Sequence, residues 1–95
     1  MLFAFIAKDK PNSLDKRMAL RPPHLEYLKP PVLRLAGPFF NEKNEMVGSL
    51  LILEAEDMAA AKAWLAEEPF FKGGLFETSE LHVWKPTINF VEAKF

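Results

Sequence analysis

The chain has no cysteine, no long apolar run and no excess of either charge. Without cysteine there can be no disulfide bond, thiolate nucleophile or cysteine-ligated metal. The apolar run at residues 2–7 is too short for a signal peptide and far short of the ~20 residues of a membrane-spanning helix. Twelve basic and 13 acidic residues give a net charge of −1, which does not favour nucleic-acid phosphates. We therefore expect a cytoplasmic protein with neither a nucleic-acid partner nor a membrane partner.

Aromatic residues, in contrast, are abundant. Nine phenylalanines and two tryptophans stand in 95 residues, of which 49% are hydrophobic. A chain of this length forms one domain, and a small domain leaves much apolar surface uncovered unless a second subunit helps. We expect a single domain over residues 1–95, with a core at 1–86 and a C-terminal tail at 87–95 that packs on a partner subunit of a homodimer.

The hydrophobic pattern predicts six elements in the order β-α-β-β-α-β. Strands are predicted at residues 2–7, 32–37, 47–55 and 77–85, the first helical region at 13–29 and the second at 58–68. This order is typical of the α+β ferredoxin-like fold, in which two helices cover one face of a four-stranded antiparallel sheet. The strands at 2–7 and 47–55 are apolar on both faces, so we expect the uncovered face of the sheet to pair with a second subunit.

The stretch "ALRPPHLEYL" interrupts the first helical region. Because proline is unfavourable inside a helix and favourable at its first position, Pro22 and Pro23 predict two short helices, at 13–20 and 22–29. His24 would then lie in the first turn of the second helix, where the helix dipole disfavours the imidazolium and, with Arg21, favours an anionic ligand. The competing interpretation is a simple bend in which His24 is an ordinary, partly buried residue.

Three other polar residues are weighed as site candidates. Glu68 precedes a proline, which favours an extended backbone and could direct its carboxylate into a pocket; otherwise it is a solvated helix end like Glu67. Ser49 follows Gly48 at a strand start, has no nucleophile-elbow context, and is kept as a substrate-binding candidate. His82 alternates with a tryptophan in the last strand and is interpreted as a sheet-face residue. Two distant histidines give little reason to expect a metal.

The residues also resemble a known family. The motifs "RPPHL", "AGPF", "GSLLILEAED", "AEEPFFKGGLFE" and "VWKP", in this order, resemble the YCII (YciI-like) family of small bacterial proteins over residues 1–86. The resemblance implies a dimeric α+β barrel of ferredoxin-like subunits and an enzyme with a His–Asp pocket, one distant relative being a dehydrochlorinase. The family histidine corresponds to His24, the motif arginine to Arg21, and the family aspartate to Glu68. Glutamate at this position departs from the family pattern, because its side chain is one methylene group longer than that of aspartate.

Two functions follow as hypotheses. The first is a cofactor-independent acid–base enzyme, a lyase or isomerase, that acts on a small anionic organic substrate. His24 would move a proton, Glu68 would orient the imidazole, and Arg21 and Ser49 would bind the substrate. The second is a non-catalytic dimer that binds a small ligand or serves as an accessory subunit. The first hypothesis requires His24 and Glu68 to lie within hydrogen-bond reach.

Overall fold

A computed structural model describes residues 1–91 of the chain. Its elements are strands β1 (Leu2–Asp9), β2 (Leu33–Phe40), β3 (Met46–Glu54) and β4 (Phe76–Trp84), and helices α1 (Leu14–Tyr27), α2 (Met58–Ala66) and α3 (Pro69–Lys72). The four strands form one antiparallel sheet in the order β2-β3-β1-β4. This is the ferredoxin-like arrangement, so the predicted fold class is confirmed.

The core lies between the sheet and α2. In β1, Phe3, Phe5 and Ala7 point to the helices and are almost fully buried, as the two-residue period of a strand requires. They pack with two leucines of β3 and with Ala61 and Leu65 of α2. Asp57 is the N-cap residue of α2, and its Oδ1 accepts a hydrogen bond from the Ala60 N–H at 2.8 Å.

Helix α1 differs from the prediction. It is one continuous helix with Pro22 and Pro23 inside it, not two short pieces. Both prolines are exposed, as are Met18 and Ala19, whose carbonyls lose their helical N–H partners. Water can satisfy those carbonyls on the solvent side of the helix, which is why the helix continues through the prolines.

The buried face of α1 is also not the one that the apolar spacing predicts. The predicted stripe includes Leu14, Met18 and Leu25, which are 37–50% exposed. The residues that α1 buries are Arg17 and His24, seven positions apart and therefore on one face of the helix. This face is polar because each of its two buried side chains meets a charged partner.

Two further boundaries were missed. Strand β2 does not close at Gly37 but continues through Pro38 to Phe40. It lies at the edge of the sheet, where proline does not remove a needed hydrogen bond. Between the second predicted helical region and the last predicted strand, where the pattern predicts no element, the structure has the short helix α3, with Pro69 at its first position.

The face of the sheet opposite the helices, here called the open face, carries exposed apolar side chains. Ile6 alternates with the core residues Phe5 and Ala7 along β1, and it shares this face with Leu35 and Phe39 of β2. The side chains of Ile6, Leu35 and Phe39 are 39–48% exposed. In the tail, Ile88 and Phe90, which were expected to be buried, are 78% and 93% exposed on the single chain; Phe95 lies outside the described residues. Among residues 1–91 no helix is long and apolar enough to cross a membrane.

Candidate active site

His24 and Glu68 are brought together, although 44 residues separate them in the sequence. His24 Nδ1 and Glu68 Oε1 form a hydrogen-bonded pair, with Glu68 fully buried and His24 nearly so. The predicted contact is therefore seen. Because Nδ1 is engaged by the carboxylate, the other ring nitrogen, Nε2, is the one left for a ligand.

Glu68 is held by the start of α3. Its backbone is extended, as the following proline predicts, and it is the N-cap residue of α3. Its second oxygen, Oε2, accepts a hydrogen bond from the Phe71 N–H at 3.1 Å. The carboxylate thus binds a helix N-terminus on one side and the imidazole on the other, so both of its oxygens are oriented.

Phe70 joins the two polar residues of α1. Its ring stacks on the His24 imidazole, with centroids 3.6 Å apart and planes 13° apart. The Arg17 guanidinium carbon lies 4.6 Å from the centroid of the same ring. Phe70 is fully buried, so it fixes the position of both side chains by packing and gives the Arg17 cation a favourable aromatic face.

Arg17 is a buried cation with partners on two strands. Its Nε donates to Asp9 Oδ2 of β1 at 2.9 Å, and its Nη2 donates to Ser49 Oγ of β3 at 2.5 Å and to the Gly48 carbonyl. Asp9 Oδ1 is buried without a hydrogen-bond partner among the described residues. Burial raises the pKa of the Asp9 carboxyl above its ordinary 3.8, although the charge of Arg17 and its hydrogen bond lower it.

A cavity of about 250 Å³ lies between α1 and strands β2 and β3. Its wall contains the polar residues Arg17, Arg21, His24 and Ser49, and the apolar residues Leu25, Leu28, Leu33, Leu51, Met46 and Pro38. An engineered cavity of about 150 Å³ can hold benzene, so this space suits a one-ring organic molecule. The combination of apolar walls and a few convergent polar groups is typical of a small-molecule site.

The predicted site residues therefore gather in one place. His24, Arg21 and Ser49 line the cavity, and Glu68 lies behind the imidazole. The predicted helix start beside His24 is wrong, because the residue lies in the last turn of α1, at the negative end of the helix dipole. The proposed anion site at a helix N-terminus is thereby lost, and the arginines remain as the cationic groups.

Glu67 and His82, which the sequence does not favour as site residues, lie outside the cavity. Glu67 is exposed and accepts a hydrogen bond from Lys72 Nζ at 2.8 Å, which raises the pKa of that ammonium group. His82 lies on the open face, with 59% of its side chain exposed and its Nε2 3.4 Å from Glu80 Oε1. Among residues 1–91 no group of three His, Asp or Glu side chains is placed to bind a metal ion.

Sequence reasoning missed Arg17 and Asp9. One signal was available: Arg17, Arg21 and His24 are spaced by four and three residues, which places all three on the same face of a helix. The apolar stripe of α1 was preferred because arginine is seldom buried. Nothing near Asp9 in the sequence indicates that a strand residue pairs with Arg17.

Comparison with known proteins gives a consistent result. The YCII-related domain family matches residues 1–85. Protein YciI of Escherichia coli (strain CFT073) is 36% identical over 87 residues, an alignment that covers 81% of this chain and 89% of YciI. The family match over residues 1–85 thus includes every site residue described above.

Solved structures agree with the fold. The 5-chloro-2-hydroxyhydroquinone dehydrochlorinase (TftG) of Burkholderia phenoliruptrix, solved with 2,5-dihydroxybenzoquinone, is 35% identical with a TM-score of 0.81. That alignment covers 90% of this chain and 94% of the dehydrochlorinase. A NIPSNAP family protein of Agrobacterium tumefaciens, at 16% identity and a TM-score of 0.55, covers 90% of this chain and 92% of its own, and shows the fold alone.

Proposed function

The chain belongs to the YCII family, and from that premise we propose that it is an acid–base enzyme of the lyase or isomerase type that needs no cofactor. The observation that carries the proposal is the buried His24–Glu68 pair in the wall of a cavity with apolar sides. A histidine that is oriented by a carboxylate and faces a ligand cavity is the common arrangement of a general base.

In the proposed mechanism His24 Nε2 accepts a proton from the substrate. Glu68 accepts the Nδ1–H hydrogen bond, which keeps Nε2 unprotonated and able to accept. When the imidazole takes the proton, the carboxylate stabilises the positive charge that forms on the ring. Glu68 does this work in place of the aspartate that the family pattern implies, and its N-cap contact with α3 holds the longer side chain in position.

The substrate class is proposed from the cavity. Its volume suits one ring, and Arg17 and Arg21 in its wall favour an anionic group such as a phenolate or enolate oxygen. The similar dehydrochlorinase takes a chlorinated hydroxyhydroquinone, a small hydroxylated ring of this kind. We therefore propose a hydroxylated, one-ring organic substrate, from which the enzyme removes a proton and, in a lyase reaction, a leaving group on the neighbouring carbon.

We also propose that the enzyme works as a homodimer. Apolar side chains of the open face, among them Ile6, Leu35 and Phe39, and of the tail, Ile88 and Phe90, are exposed on one chain. Burial of such a surface between two subunits is favourable at roughly 25 cal/mol per Å² of apolar area. This assignment completes the α+β barrel that the sequence resemblance implies.

The direct test is chloride release from 5-chloro-2-hydroxyhydroquinone by the purified protein. We expect turnover by the wild type and a loss of about 10²–10⁴-fold in kcat for His24→Ala, which removes the base. Glu68→Gln keeps the shape but not the charge, and should also lower kcat strongly. Glu67→Gln is the matched control for Glu68→Gln, because Glu67 is exposed and lies outside the cavity, and it should leave turnover unchanged.

Two outcomes would contradict the proposal. If His24→Ala keeps wild-type turnover, the proton acceptor lies elsewhere. If the wild type binds 2,5-dihydroxybenzoquinone but converts none of a panel of hydroxylated rings, the protein is a ligand-binding module of the same fold. Binding can be measured by titration calorimetry with that quinone, in wild type, His24→Ala and Glu67→Gln.

A further inference from the structure

We infer that Ser49 and Arg17 form an oxyanion-binding site opposite the base, with Ser49 as the hydrogen-bond donor. The inference rests on the proposed function and deepens it, because it names the part of the substrate that the site recognises. That part is the carbonyl oxygen of the keto tautomer of the hydroxylated ring, which is conjugated to the reacting carbon and becomes an enolate oxygen when the proton leaves.

The direction of the hydrogen bonds carries the argument. The Arg17 guanidinium can donate hydrogen bonds but cannot accept them. The Ser49 oxygen must therefore be the acceptor in the 2.5 Å contact between Arg17 Nη2 and Ser49 Oγ. Among residues 1–91 the Ser49 hydroxyl is not seen to donate to any group. Ser49 is 3% exposed and lines the cavity that His24 also lines. Its O–H is therefore free to donate to a ligand there.

Arg17 makes this hydroxyl a stronger donor. A hydroxyl oxygen that accepts from a cation is polarised, and hydrogen bonds in series strengthen one another. Asp9 binds the Nε end of the same guanidinium at 2.9 Å and the Gly48 carbonyl accepts from Nη2, so the cation has little freedom to turn away. Asp9 and Arg17 are positioning residues in this scheme, and Ser49 is the residue that touches the substrate.

In the proposed proton abstraction, His24 and Ser49 act on different atoms of the substrate. His24 Nε2 takes the proton, and the electron pair of the broken C–H bond forms the C=C bond of an enolate. The former carbonyl π pair moves to the oxygen, which carries the new negative charge toward Ser49. No oxidant or reductant is needed. Hydrogen-bond donors that are already in position before the negative charge develops lower the activation free energy of enolate formation effectively.

The test compares two ligands that differ in charge. The probes are 2,5-dihydroxybenzoquinone, a vinylogous acid that is anionic at neutral pH, and its neutral dimethoxy analogue. We expect Ser49→Ala to weaken binding of the anion by about 10- to 100-fold, the usual effect of losing a hydrogen bond to a charged group. Binding of the neutral analogue should be nearly unchanged.

Ser79→Ala is the matched control. Ser79 of β4 and Ser49 of β3 pair with the same residue, Ala7, from opposite sides, but Ser79 is exposed and outside the cavity. It should leave both affinities unchanged. Ser49→Thr, which keeps the hydroxyl, should restore preference for the anion over the neutral analogue.

Three results would overturn the inference. Ser49→Ala could bind the anion as tightly as the wild type, it could lose both probes equally, or the wild type could fail to bind the anion at millimolar concentration. Failure of the proposed function looks different. In that case anion binding depends on Ser49, while no hydroxylated ring is turned over and His24→Ala changes nothing but affinity.

Discussion

At the scale of single residues, the site depends on polar side chains that are buried together with their partners. An isolated charge is costly to bury, whereas Arg17 meets Asp9 and Glu68 meets His24. Removing one member of either pair leaves the other unpaired in the interior. Substitutions that keep hydrogen-bonding shape, such as Glu68→Gln, are therefore more informative about chemistry than truncations to alanine.

Tyr27 gives a titration that reports on the same region. It is the only tyrosine of the chain, and its hydroxyl donates to the Trp64 carbonyl at 2.7 Å. Burial first, and then the charges of Glu67 and Glu68, raise the pKa of Tyr27 above its ordinary 10.0. We expect tyrosinate absorbance to appear above pH 10.0, and Glu67→Gln to move its midpoint to lower pH by removing one negative charge.

The raised pKa of Tyr27 determines how the stability of the folded protein changes with pH. The folded protein holds the Tyr27 proton more tightly than the unfolded chain does, so the stability that this gives is complete below pH 10.0. It is lost as the pH rises through the folded value. The urea-unfolded protein is the control and should titrate near the ordinary value. An unchanged midpoint in Glu67→Gln would show that this charge does not reach Tyr27.

At the scale of elements, α1 is the element that assembles the site. It carries Arg17, Arg21 and His24 at spacings of four and three residues, so one helix presents them all to the cavity. Its prolines do not start a new helix. They remove two backbone hydrogen bonds within the turn that leads to His24.

The prolines should cost stability. We expect the double substitution Pro22→Ala and Pro23→Ala to raise the free energy of unfolding by about 1–3 kcal/mol, because two helical N–H groups return at exposed positions. Urea unfolding measures this directly. Pro11→Ala, in the turn before α1, is the control and should give no gain. Equal or lower stability of the double variant would show that the helix already accommodates both rings without cost.

At the scale of the whole molecule, the exposed apolar surface is the feature that remains to be covered. The open face and the tail both contribute to it, and the tail residues Ile88 and Phe90 are more exposed than any of the apolar side chains on the sheet. One chain leaves this surface in water. The proposed homodimer covers it, with the tail of each subunit lying on its partner.

Removal of residues 87–95 tests the role of the tail. We expect the shortened protein to shift toward monomer in sedimentation velocity at a concentration where the full chain is dimeric, because it loses apolar contact area. The double substitution Ile88→Ser and Phe90→Ser in the full-length chain should reproduce the shift. If both variants sediment as the full chain does, the tail does not fasten the dimer.

The sequence alone determined the fold class, the order of the strands and three of the residues that line the cavity. The apolar composition of strands β1 and β3 and the helix-capping residue Asp57 are local signals, and each predicts its element from the sequence. The charge of Glu68 near a helix end called for a partner such as His24 or an arginine, and the family resemblance singled out His24, since no local rule joins residues so far apart.

Only the tertiary structure decided which face of α1 is buried and where His24 lies on the helix. Local rules favour burying Met18 and Leu25 and starting a helix at Pro22, and both expectations are wrong. The physical reason is that burial of Arg17 and His24 depends on Asp9, Ser49 and Glu68, which come from other elements. A short stretch of sequence cannot predict the free energy of such contacts, because it depends on partners that are brought together only by the tertiary fold.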